Sequence, residues 1–150
     1  MIYLACPSVP GCFKIVNVLA ADYIKNKTPV FSPLSHSIPI ARDGKLPTDW
    51  EFWKDFDLEM LSKCSRIDIV NIHGIEESKG VAAETKYAEV QGIPFQYHSG
   101  SWIGITSLGS RTPATRVRLD GYENYICRIK GIDIEINSND LLRHRDVWLT

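Results

Sequence analysis

Several features that would mark a specialised protein are missing from this sequence. Its four cysteines, Cys6, Cys12, Cys64 and Cys127, show no C-x-x-C spacing and sit mostly among apolar residues. They read as reduced thiols of a cytoplasmic protein rather than as a disulfide framework. Its four histidines, His36, His73, His98 and His144, are scattered without metal-ligand spacing, so no zinc site and no other metal is expected. Neither sign of charge dominates: 17 Lys and Arg against 18 Asp and Glu leave a formal net charge of -1. That balance gives no broad electrostatic footprint for a nucleic-acid polymer or a membrane surface. No apolar run reaches the length of a membrane span. The first residues, Met-Ile-Tyr-Leu-Ala-Cys-Pro, lack a basic leader and read as a strand rather than a signal peptide. Neither G-x-G-x-x-G nor G-x-x-x-x-G-K-[ST] occurs, and no internal repeat is evident.

What is present is the pattern of one α/β domain with an appendage, 150 residues being enough for a single core. Residues 2–6 form a short apolar strand pattern stopped by Pro7, and residues 12–26 carry apolar side chains at helical spacing. Residues 29–33 read as a second strand. Residues 34–47, rich in Ser, Pro and Gly, read as a long irregular loop, which in a compact domain is more often functional than idle. Residues 67–72 read as a third strand and 93–97 as a fourth, with Gly92 ending the helix before it. Strands alternating with helices imply right-handed crossovers and a parallel sheet, whose ligands bind at the carboxyl ends of the strands. From residue 100 the pattern changes. Residues 115–119, 125–129 and 132–136 alternate polar and apolar, with Lys130-Gly131 as a tight turn. Ser138-Asn-Asp suits the start of a short helical turn. Residues 99–150 therefore read as a small antiparallel β extension of a core at 1–98. The arginines there, Arg111, Arg116, Arg118, Arg128, Arg143 and Arg145, have acids nearby and fit a solvated strand face.

Two carboxylates stand out from this background. In the helix expected over residues 79–91, capped by Ser78, Lys79, Thr85, Lys86 and Glu89 share one side, while Glu84 falls among Gly80, Val81, Tyr87 and Ala88 on the other. In the helix spanning 49–64, Trp50, Trp53, Met60, Leu61 and Cys64 form an apolar stripe with Asp57 near its centre. A carboxylate on a packed face is costly unless partnered. Each acid alone fits an ion-paired or capping residue equally well. Two facing inward from neighbouring helices suggest glycosidic or proton-transfer chemistry.

The ordered set Ile2-Tyr-Leu-Ala-Cys-Pro7, Asp57 in Phe-Asp-Leu-Glu-Met-Leu, and Ser78-x-Gly-x-x-x-Glu84-x-x-Tyr-Ala88 resembles the nucleoside 2-deoxyribosyltransferase superfamily, which includes the deoxynucleoside 5′-monophosphate N-glycosidases. The resemblance runs in register over residues 1–98. Ser-Pro-Leu-Ser-His-Ser and Pro47-Thr-Asp-Trp-Glu-Phe-Trp53 are similar to a phage and bacterial branch of it. It implies a flavodoxin-like fold, no cofactor, a nucleoside or nucleotide substrate, and a homo-oligomer completing the site. It implies Glu84 as nucleophile, Asp57 as the second acid, and the Tyr3 hydroxyl as a bond to the nucleophile. Ser78 stands where transferases for free nucleosides carry Asp and the monophosphate glycosidases carry Ser, which points to a 5′-phosphate beside the helix N-terminus and Gly80. Cys6, Ser8, Ser35, Ser37 and His36 are further candidate substrate contacts. Trp50 and Trp53 fit either base stacking or packing. Cys6 and Lys86 depart from the family pattern, both standing where Gly is common, and residues 100–150 do not align. The implied activity is cleavage of an N-glycosidic bond through a glycosyl-enzyme ester, as hydrolase or transferase. A non-catalytic nucleotide-binding module and a glycohydrolase acting on NAD or a cyclic nucleotide are the alternatives.

Overall fold

The computed structural model describes residues 1–114, 122 and 124–141. The chain runs β1 (Ile2–Ala5), α1 (Cys12–Lys25), β2 (Val30–Phe31), α2 (Pro33–Gly44), α3 (Trp50–Ser62), β3 (Arg66–Asn71), α4 (Lys79–Gln91), β4 (Phe95–Ile105), β5 (Arg111–Ala114), β6 (Asn124–Ile129) and β7 (Ile132–Ile136). A short 3-10 turn, Ile75–Glu77, precedes α4. One sheet takes the order β2-β1-β3-β4-β6-β7, with β5 also on β4. It is mixed. β2, β1, β3 and the first half of β4 are parallel, whereas β5, β6 and β7 run antiparallel.

The expectation of a parallel sheet plus a small antiparallel β extension is met in part, because β4 joins both into one mixed sheet. This strand does not stop near residue 97. Residues 95–99 pair with β3, and residues 100–105 go on to pair with β6 on one edge and, from Trp102, with β5 on the other. Gly100 sits at the change of partner, where a Cβ would come within 2.7 Å of Ile72 Cγ2, so only glycine lets the strands approach there. Lys130 and Gly131, both at positive φ, close the β6–β7 hairpin with the twist such ribbons need. Residues 115–119, expected as a strand, lie outside the described residues, as do Arg116, Arg118, Arg143, Arg145 and His144.

The alternation of β1 sorts the core. Ile2 and Leu4 face a cluster containing Ile15, Val16 and Leu19 of α1 with Val70 of β3 and Ile72 just after it. Trp102, Cys127, Ile129, Ile134 and Ile136 of the antiparallel strands complete that same cluster. Tyr3 and Ala5 face the opposite side, with Leu61 of α3, Ile67 and Ile69 of β3, and Val81 and Ala88 of α4. Both faces of β1 are therefore buried, as befits a central parallel strand.

The stretch expected as a loop over residues 34–47 is instead α2 as far as Gly44. Pro33 suits the first helical position, where its missing N–H would have no partner anyway. Leu34, Ser37, Ile38 and Ala41 then recur at helical spacing, and Ser37, Ile38 and Ala41 are buried. Lys45, at φ 56°, ends the helix in the left-handed region. Pro39 lies inside α2, where it cannot bond the carbonyl of residue 35.

Candidate active site

β1 lies between β2 and β3, so the chain leaves it in one direction and returns on the other side. Crevices form at such switch points, outside the carboxyl ends of the strands. Here a cleft of about 410 Å³ is lined by Cys6, Ser8 and Val9 after β1, by Gly74, Glu77 and Ser78 after β3, and by faces of α2, α3 and α4. Ser78 caps α4: its Oγ accepts from the Val81 N–H at 3.2 Å. The cap fixes the rotation of α4, and Val81, Glu84 and Ala88 become its buried residues. In α3 the buried residues are Asp57 and Leu61. Both singled-out acids thus line one cleft, each almost wholly buried at 5 % (Glu84) and 6 % (Asp57) exposure.

Tyr3 projects from β1 on the α3–α4 side, and its hydroxyl donates a hydrogen bond to Glu84 Oε2. Asp57 Oδ1 is buried with no hydrogen-bond partner among the described residues. Burial pushes Glu84 up to about 8. The Tyr3 hydroxyl works against that rise and the charge of Asp57 adds to it. Burial alone raises Asp57 to about 7. The charge of Asp57 acts on Glu84, so the pair titrates as a unit and holds one proton between them once the first has been lost. The Tyr3 bond favours the charged form of Glu84. Tyr3 is itself held well above its usual range, by burial first and by the two acids next, so it stays a donor.

The remaining expected residues divide. Cys6, Ser8, Trp53, Ser78 and Gly80 line the cleft. Burial pushes the Cys6 thiol well up, and its Sγ donates to the Pro7 carbonyl at 3.4 Å, so it is no thiolate nucleophile. Ser35 and His36 are not among the lining residues. Ser35 Oγ bonds Asn17 Oδ1 and Ser32 Oγ. His36 stacks on Phe56, ring centroids 4.9 Å apart and 3° from parallel. Ser37, expected together with them, does line the cleft, from the helix that replaces the expected loop. The Trp53 indole N–H donates to the Pro47 carbonyl at 2.8 Å, which pins the ring. Trp50 lies against Gly80, where a Cβ would come within 3.3 Å of its Cε3.

Thr48, Asp49, Glu77 and Lys79 also line the cleft. Lys79 is exposed, as expected of the solvated side of α4, and as its first residue it also borders the mouth. On the far face of the sheet, Asp68 of β3 is a third buried acid, at 0 % exposure. It accepts from Tyr23, from Arg66 Nε and Nη2 at 2.7 and 3.0 Å, and lies 3.1 Å from His98 Nε2. Burial would raise its pKa; the bonds from Arg66, Tyr23 and His98 outweigh that and hold it low. Asp68 is fully satisfied, unlike Asp57. Among the described residues no group of His, Cys, Asp and Glu has metal-binding geometry.

Fold and cleft together define an α/β protein with a mixed sheet, flanking helices and a carboxylate pair at the strand ends; no helix among the described residues is long and apolar enough to cross a membrane. Residues 1–99 match the family described as "Domain of unknown function (DUF1937)", and the chain belongs to that family. No curated protein matches it.

Proposed function

We propose that this protein cleaves the N-glycosidic bond of a nucleoside or nucleotide by a retaining displacement, with Glu84 as nucleophile. One observation carries the reading: a buried carboxylate held by the Tyr3 hydroxyl shares a cleft with a second buried acid that has no partner of its own. The parallel strands, in the order β2-β1-β3-β4, support a flavodoxin-like fold, whose switch point is where this cleft opens. The likeness of Tyr3, Asp57, Ser78 and Glu84 to the nucleoside 2-deoxyribosyltransferase pattern adds to it.

The chemistry follows from the two environments. Glu84, ionised and oriented by Tyr3, attacks C1′ of the sugar as the C1′–N bond breaks. The bonding pair leaves with the base, which takes the proton of Asp57. Water then attacks C1′ of the glycosyl ester, the ester C1′–O bond breaks to restore the Glu84 carboxylate, and a water proton returns to Asp57. Sugar and free base are the products. A second base in place of water would make the reaction a transfer.

The test is chromatographic. Deoxynucleosides and their 5′-monophosphates incubated with the protein should release free base, and Glu84→Gln should abolish release. Release that survives Glu84→Gln would exclude Glu84 as nucleophile. Tight binding of a nucleotide with no product would favour a sequestering module instead.

A further inference from the structure

We infer that the α3 wall of this cleft is built to hold a planar aromatic cation, so that the N-glycosides it takes are those whose base carries a fixed positive charge. This rests on the glycosidase reading above and adds the substrate class to it. Four lining residues of the wall follow one another along α3 and its cap: Asp49, Trp50, Trp53 and Asp57. Their spacing, one helical turn from Asp49 to Trp53 and another to Asp57, sets two indoles between two carboxylates on one side of the helix. Both indoles are fixed, Trp53 by its bond to the Pro47 carbonyl and Trp50 by its seat against Gly80. Aromatic faces held in place attract a cationic ring, and fixed rings lose little freedom on binding it.

The charges agree. Among the described residues, the ionisable oxygen and nitrogen groups lining the cleft are Asp49, Asp57, Glu77, Glu84 and Lys79. Asp49, Glu77 and Lys79 form no ion pair within 4 Å among the described residues. Two free carboxylates, one ammonium and a buried pair sharing one proton leave a formal charge of about -2. The single ammonium, Lys79, opens α4 next to the Gly80 that Trp50 packs against, and the acids of the cleft outnumber it. Asp57 is the independent sign of a missing ligand: 6 % exposed, lining the cleft, with Oδ1 unpartnered. A cationic ring supplies the charge that oxygen lacks. It also leaves as a neutral base when the C1′–N bond breaks, so it needs no proton from Asp57.

Binding and turnover test this separately. Calorimetric titration compares 1-methylnicotinamide, a ring cation, with nicotinamide, its neutral counterpart. The cation should bind about tenfold more tightly, with the gap narrowing as salt is raised. Asp57→Asn should close the gap, and Glu77→Gln, at an exposed position, should narrow it without disturbing packing. Equal affinities in the wild type, or a gap unchanged in both variants, would overturn the inference. In turnover, 7-methylguanosine against guanosine and N-ribosylnicotinamide against uridine show which ring class is cleaved. Glu84-dependent cleavage of neutral nucleosides with no cation preference would overturn this inference and leave the glycosidase reading intact. A cation preference with no Glu84-dependent cleavage of any N-glycoside would do the reverse.

Discussion

Burying two carboxylates in one cleft should make this protein less stable as the pH rises, and Glu84→Gln should remove much of that loss. The folded pKa of Glu84 is raised from 4.5 to about 8. Between those values the fold keeps a proton that the unfolded chain has released, so the stabilising share is complete below 4.5 and is lost as pH climbs through 8. At about 1.4 kcal/mol per pH unit, the Glu84 contribution falls by about 4 kcal/mol from pH 5 to pH 8.5. Asp57, raised from 3.8 to about 7, adds a loss in the same direction that is complete earlier. Against a total stability of about 5–15 kcal/mol, that is a large fraction. Denaturant unfolding of the ligand-free protein across this range should show a falling midpoint. Glu84→Gln, which keeps an acceptor for the Tyr3 hydroxyl, should be close to wild type at pH 5 and several kcal/mol more stable at pH 8.5. A wild-type midpoint that is flat or rises over the range, with Glu84→Gln parallel to it, would refute the reasoning.

Tyr3→Phe removes the one interaction that lowers the Glu84 pKa, so the ascending limb of the pH–rate profile should move to higher pH and the plateau rate should fall about 100-fold. An unmoved limb would show that Tyr3 does not steer the proton. Asp68→Asn leaves Arg66, Tyr23 and His98 facing a neutral group, and should destabilise by about 3 kcal/mol in a denaturant titration at pH 7, with base release by the folded fraction unaltered. Gly100→Ala sets a methyl group against Ile72 Cγ2 and should cost about 2 kcal/mol, measured as a lower unfolding midpoint with no change in substrate affinity.

How much of this was readable in the chain depended on whether the deciding interaction was local. The faces of α3 and α4 were legible because helical spacing alone puts Asp57 with Leu61 and Glu84 with Val81 and Ala88. Lys130-Gly131 announced the β6–β7 hairpin because its backbone needs positive φ at both positions. α2 was missed because Ser and Pro outweighed a stripe that was there to find, Leu34, Ser37, Ile38 and Ala41, and because Pro33 acts as a start rather than a stop. The loop reading grouped Ser35, His36 and Ser37 at the expected site, whereas the helix turns only Ser37 of the three to the cleft. The full length of β4 depends on β6, some 25 residues later in the chain, and on close packing at Gly100, which no local pattern reveals. Asp68 was hidden for a related reason. Within Ile67-Asp-Ile-Val it reads as an interruption of a buried strand, and its partners come from α1, β4 and its own strand. Thr48, Glu77 and Lys79 are loop and helix-end residues whose place at the cleft follows from topology.

The claim that Glu84 itself bonds to the sugar can be tested by trapping. A nucleoside with fluorine at C2′ slows breakdown of a glycosyl ester more than its formation. Intact-mass analysis after incubation should then show the protein heavier by one fluorosugar residue, and peptide mapping should place the addition on Glu84. Base released without any adduct, or an adduct on another residue, would contradict the account at its centre.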